Sequence, residues 1–380
     1  VGGGAGGGAS GGGAGGGGGG GVELDGGSTF DPVELASGVE VHAVALEAVD
    51  GGFLVAWVES DDFSLRLMTT AVDERGELRN LQQTVTQAPS AAAFKYGMML
   101  PGALQPQASG QWRVTAVLGA RLVTWGVSDF GFPGQPVLDT YPLGQSWALE
   151  GAGVVLERSG GDTELRTIPG GERTTLPSTL HTGQAIGAVS DGGFTLLTTN
   201  STGALALETL IMPSGGRVWD SRPLAQAPSG MNGPFAVPLA LRASSTGWIA
   251  AWVERSHETP RMVSLRVRRP GAEVAHVEDE TAWLSANGDV VVTPGGRWAV
   301  AWSAVGGGWN DEVRFRREGG AAVCAVSPGG GANHNAGPIA LAARASGRVG
   351  ILWAQPQFQP PDRPRRARLL FRSLGADFCP

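Results

Sequence analysis

Asp50-Gly51-Gly52-Phe53-Leu54-Val55-Ala56-Trp57 is the stretch on which the fold turns. Two glycines supply a tight turn, and an unbroken apolar run follows. In an extended strand Phe53, Val55 and Trp57 share one face, while Leu54, Ala56 and Val58 share the other. A strand apolar on both faces is covered on both faces. The pattern returns from Asp191 (D-G-G-F-T-L-L-T-T), Ser245 (S-T-G-W-I-A-A-W-V), Pro294 (P-G-G-R-W-A-V-A-W) and Ala345 (A-S-G-R-V-G-I-L-W). Weaker copies lie at Gln111 to Leu118 and Gly151 to Glu157.

Around each copy the surroundings also repeat. An apolar strand precedes the turn, as in Val39 to Val49 or Phe235 to Ala243. After a variable loop comes a third strand with one solvated face, where Leu65 and Leu67 flank Arg66, and Leu265 and Val267 alternate with Ser264, Arg266 and Arg268. A glycine turn then leads to a weaker fourth strand, as at Pro270-Gly271-Ala272-Glu273. Aligned on Gly52, Gly110, Gly151, Gly193, Gly247, Gly296 and Gly347, the units recur every ~40 to 58 residues, the repeat length of propeller blades. The expectation is an all-β, seven-bladed β-propeller of four-stranded antiparallel blades over residues 28–380. The last unit runs out after its third strand, so Ser28 to Leu35 is expected to supply its outer strand and seal the ring, leaving no open sheet edge.

The start of the chain reads differently. All but five of the residues Val1 to Gly21 are glycine, and such a segment has no side chains to bury. Residues 1–27 are expected to be a disordered, Gly-rich tether; the Lys-Ser/Thr that a phosphate-binding glycine loop needs is missing. No run approaches eighteen apolar residues. The formal net charge of −7 argues against a nucleic-acid partner. Cys324 and Cys379 are the two cysteines; they fall on neighbouring units and are expected to form a disulfide that pins the C-terminus. Such a bond implies an oxidising, extracytoplasmic compartment.

The chain resembles bacterial secreted β-propellers that carry a D-G-G-[FY]-x-[VL]-x-W hairpin in each blade. The resemblance covers Ser28 to the end and implies the architecture alone. The Gly-His…Trp-Asp signature of WD repeats, with both dipeptides in one unit, is absent, as are the kelch pattern and the Asp box of sialidases, so no catalytic residue is carried over. The tether is similar to the spacer of bacterial lipoproteins, which would place a lipid anchor ahead of Val1 as the one link to a membrane.

Function concentrates in loops held on a rigid scaffold. The longer and chemically richer loops belong to units five to seven, on the face where second strands lead to third. Asn232, His257, Glu258, Trp309, Asn310, Asp311, Glu312, Asn333 and His334 are the candidate binding residues there. Trp309, between glycines and Asn310-Asp311, suits contact with a sugar or peptide. The five histidines lack metal-ligand spacing, and outside the glycine-rich start there is no G-x-S-x-G, so no metal, cofactor or catalytic residue is assigned. The leading expectation is a monomeric, non-enzymatic propeller of the bacterial envelope or exterior that binds a protein or glycan. The alternatives are a glycan-active hydrolase or lyase with carboxylates at the channel mouth, and a structural part of an envelope complex.

Overall fold

The computed structural model describes residues 29–61, 64–89, 97–107, 110–118, 121–140, 146–149, 154–159, 162–167, 173–175, 186–190, 193–199, 205–211, 218–225, 236–244, 247–255, 263–280, 284–305, 311–327, 337–357 and 366–379. The expected tether lies outside these residues. Among the described residues every element is a strand.

The chain forms a succession of antiparallel meanders. The first comprises β1 (Val33–Val49), β2 (Gly52–Ser60), β3 (Ser64–Asp73) and β4 (Gln83–Pro89). It is followed by β5 (Gly97–Pro106), β6 (Gln111–Leu118), β7 (Arg121–Ser128) and β8 (Val137–Thr140). The next holds β9 (Ser146–Leu149), β10 (Val154–Ser159), β11 (Asp162–Thr167) and β12 (Arg173–Thr175). Then come β13 (Ile186–Ser190), β14 (Gly193–Thr199), β15 (Leu205–Ile211) and β16 (Val218–Ala225). β17 (Ala236–Ser244), β18 (Gly247–Arg255), β19 (Val263–Arg268) and β20 (Ala275–Glu280) form another. β21 (Leu284–Val292), β22 (Trp298–Val305), β23 (Asp311–Arg317) and β24 (Cys324–Ala325) follow. The chain closes with β25 (Ile339–Ala343), β26 (Val349–Pro356) and β27 (Ala367–Leu374).

Those last three strands acquire a fourth from the other end of the chain. The first part of β1 pairs with β27, from Val33 opposite Phe371 to Val39 opposite Ala367, while Glu40 to Val49 pair with β2. One hydrogen-bonded sheet therefore runs β25-β26-β27-β1-β2-β3-β4. Gly38, at φ +73°, sits at the register shift where β1 passes from one partner to the other. The outer-strand role expected of Ser28 to Leu35 is filled by Val33 to Val39, displaced a few residues along the chain. First strands of successive meanders lie against one another: β13 against β17, β17 against β21, β21 against β25, and β25 against β1.

The second strands explain the packing. Phe53 through Val58 are completely buried, as the double-faced apolar pattern demands. Trp57, Trp252, Trp302 and Trp353, at equivalent strand positions, are among the largest fully buried side chains. Third strands divide. In β19 only Leu265 and Val267 are buried, as expected, but β3 is covered on both faces. There the Thr70 hydroxyl donates to Asn80 Oδ1 at 2.9 Å, and the backbone of Gly131 presses on Thr70 and Ala71, which fills the face expected to be wet. The two glycines of Asp50-Gly51-Gly52 serve different ends. Gly51 takes φ +73°, whereas a Cβ on Gly52 would lie 1.9 Å from the Val72 carbonyl oxygen.

The two ends of the described residues are fastened side by side. Cys324 and Cys379 are disulfide-bonded with Cα atoms 5.7 Å apart, joining β24 to the segment after β27. The Arg317 guanidinium donates to the carbonyls of Gly347 and Gly375 at 3.0 and 2.8 Å. Arg372 donates to the carbonyls of Phe30 and Val326, and the Phe30 amide donates to Ser373. Burial lowers the pKa of both arginines below the ordinary guanidinium range, the expected cost of enclosing a cation.

Candidate binding face

Second strands end and third strands begin at one end of the meanders, and the tight β1–β2-type turns lie at the other. Of the expected binding residues, Asn232, His257, Glu258, Trp309, Asn310, Asn333 and His334 lie outside the described residues, as does the Asp311 side chain. Asp311 and Glu312 belong to β23 rather than to the loop before it, pairing with Val305 and Ala304.

The strand ends beneath those loops carry a repeated polar device. In the β1–β4 meander the Trp57 indole N–H donates to Glu59 Oε2 at 2.7 Å. Arg66 holds the other carboxylate oxygen at 2.9 Å and reaches Asp61 at 3.3 Å. The β17–β20 meander repeats it, with Trp252 donating to Glu254 at 2.9 Å and Arg266 bonded to that same carboxylate at 3.2 Å. Each buried indole N–H gains a charged acceptor, and each carboxylate gains a cation.

The β21–β24 meander has moved its acid across the hairpin. Ala304 stands where Glu254 would be, and Glu312 faces it from β23. Arg314 donates to Glu312 and, at 2.9 Å, to Glu278 of the preceding meander. The arginine stays paired, but the acid no longer meets the indole, so Trp302 Nε1 is buried without an acceptor. Trp353, followed two residues later by Gln355, is in the same state. One oxygen of Glu278 is also buried and unpartnered. Burial, and then the neighbouring Glu278 charge, raises the Glu312 pKa above the ordinary carboxylate range.

A second charged group lies among the first strands, and sequence reading missed it. Arg242 of β17 grips Asp289 of β21 with two hydrogen bonds of 3.1 and 2.6 Å, and reaches Glu47 of β1 at 2.7 Å. Asp289 also accepts the amides of Val290 and Leu341, each at 2.8 Å. Three first strands and the edge of β25 are thus tied at one point. With its oxygens so fully engaged, Asp289 is built as a clamp, whereas a general acid or base needs a face open to substrate. Glu47 has its pKa raised, chiefly by burial, against the lowering effect of Arg242. The signal of this group in the sequence was one charge on each of two otherwise uncharged first strands, Arg242 on β17 and Asp289 on β21.

At the tight-turn end, a cleft of about 450 Å³ opens between the β21–β24 meander and the C-terminal segment. Trp298, Arg297, Arg317, Glu318 and Asp377 line it, with Cys379 at its edge. Glu318 is engaged with Arg269 at 3.1 Å and with the Trp298 amide at 3.1 Å. Among the described residues no three His, Cys, Asp or Glu side chains gather as metal ligands.

No protein-family model and no curated protein matches the sequence. Solved structures do resemble it. The β-propeller domain of Cps50 (Swd1) from Myceliophteria thermophila aligns over 89% of this chain and 99% of its own, with 11% identity and a TM-score of 0.50. The chain has the β-propeller fold. A protein of unknown function from Dyadobacter fermentans covers 91% of this chain and 99% of its own, at 11% identity and TM-score 0.47. AofleA from Arthrobotrys oligospora covers 79% and 90%, at 13% identity and TM-score 0.45. At such identities the likeness concerns the fold alone.

Proposed function

We propose that this is an extracytoplasmic, non-enzymatic propeller that binds a protein or glycan through the loop face of its fifth to seventh blades. In this reading residues 1–27 are a tether and residues 28–380 are the propeller. The seven-stranded sheet counts as two blades sharing β1, so the meanders number seven. That count rests on the double pairing of β1 and on the succession of first strands.

The observation that carries the functional reading is the change in polar design across the loop face. The first and fifth blades close their indole N–H groups with Glu59 and Glu254. The sixth displaces its acid toward the rim and leaves a carboxylate of raised pKa beside Glu278. A scaffold selected for packing alone gains nothing from that departure, whereas a binding face gains a polar rim on a fixed floor. The disulfide supports the extracytoplasmic assignment, since such bonds persist in oxidising compartments.

An array of immobilised oligosaccharides and purified envelope polysaccharides, probed with the full chain, tests the reading. Binding should fall at least tenfold in a Trp309→Ala, Glu312→Gln variant and persist in Arg297→Ala at the opposite end. Binding unaffected by the loop-face variant, or turnover of the bound saccharide, would overturn it.

A further inference from the structure

Five of the large apolar side chains exposed among the described residues gather in two adjoining segments at the tight-turn end, away from the proposed binding face. Leu78 and Leu81 precede β4; Phe130, Phe132 and Val137 lie between β7 and the start of β8. Leu81 is 79% exposed and the others about half. The two segments meet. The Arg79 guanidinium stacks over the Phe130 ring at 4.5 Å, and Gly131 rests on the backbone of β3, which bonds Arg79 through the Ala71 carbonyl at 2.8 Å. The Arg79 guanidinium also donates to the Asp50 carbonyl at 2.6 Å, so this cation is held within the rim.

We infer that this apolar rim is a self-association surface whose occupant is a second copy of the chain. Five partly exposed side chains make a patch on the order of 500 Å², within the range of the largest patch on a monomer, where such patches often serve an interface. Pairing it with itself about a two-fold axis removes about 1,000 Å² in total, the lower limit for a specific contact, so the dimer is weak and reversible. An apolar patch is self-complementary and requires no opposite charge on its partner. The net charge of −7 sets long-range repulsion between copies, which salt screens, and it also disfavours an anionic lipid surface as the occupant. Such a dimer leaves both loop faces open. If the proposed binding reading holds, two linked faces would bind a repeated ligand with avidity. The dimer itself does not depend on that reading.

Sedimentation equilibrium of the full chain from about 1 to 300 µM, the range expected for a minimal interface, gives the test. The average mass should climb from monomer toward dimer, and should climb further at high salt. Leu81→Asp with Phe132→Asp should hold the chain monomeric while leaving its circular dichroism and melting temperature unchanged. Trp309→Ala on the loop face should leave association intact. A monomer at every concentration, or self-association that survives the double variant, overturns the inference. A monomer that floats with phosphatidylcholine vesicles through the same two residues also overturns it, and makes the rim a lipid surface.

Discussion

The β1–β4 and β21–β24 blades share a strand pattern and a buried tryptophan, yet they end differently at the loop face. In the first, Trp57, Glu59 and Arg66 close on one another, and Glu59 is almost wholly buried. In the second, the acid sits on the neighbouring strand, Arg314 turns outward to Glu278, and Trp302 keeps an unanswered N–H. Packing tolerates both because the apolar floor is the same. The difference shows that the repeat specifies the blade while the polar residue at its end is at liberty to vary. The variable blades are instead fastened at their other end, by the disulfide and by Arg317.

This contrast can be broken experimentally. Replacing Cys324 and Cys379 with serine should have the largest effect. Opening a loop whose ends are separated by 55 positions in sequence costs about 4 kcal/mol in the chain-entropy model, and denaturant unfolding would report it. Amide exchange should quicken first in β23 and β27; an even loss that reaches β2 equally would mean the two regions are not separately secured. Glu59→Ala should cost about 2 kcal/mol, because it leaves the buried Trp57 indole N–H without its acceptor and leaves Arg66 to Asp61. The same change at Glu254, which is more exposed, should cost less.

Moving the acid back sharpens the comparison. Ala304→Glu combined with Glu312→Ser gives β22–β23 the arrangement of Trp252, Glu254 and Ser264. A gain of about 1 kcal/mol is expected as Trp302 acquires an acceptor. Ala304→Glu alone should be worse than the pair, since it sets two carboxylates opposite each other. A smaller effect lies at the axis both regions share. With its native pKa raised, Glu47 binds its proton more tightly folded than unfolded, so it favours the native state in acid. That contribution fades as pH rises from about 4.3 through the native pKa. Glu47→Gln should flatten this part of the stability profile, measured as unfolding midpoint against pH.

Much of the fold was legible in residues. Phe53 to Val58 announced a strand buried on both sides, the short final unit announced a strand borrowed from the N-terminus, and Cys324 and Cys379 announced their bond. Periodicity carries such features because each repeats or pairs within the repeat. The Glu47–Arg242–Asp289 clamp was not legible, since Arg242 lies 195 residues from Glu47 and 47 from Asp289, and the three meet only when first strands assemble. Nor was the rim of Leu81 and Phe132, whose exposure depends on what neighbouring turns leave uncovered. Of the candidate face, Glu312 alone has a described side chain, and it is a strand residue held by Arg314 where the sequence suggested a loop.

In the proposed function the partner meets the loop end of the blades bearing Trp302 and Trp353. Indole N–H resonances of tryptophan-labelled protein, followed while a saccharide selected on the array is titrated in, test it most directly. Trp302 and Trp353 should shift while Trp57 and Trp298 stay in place. Shifts confined to Trp298, in the cleft at the opposite end, would contradict it.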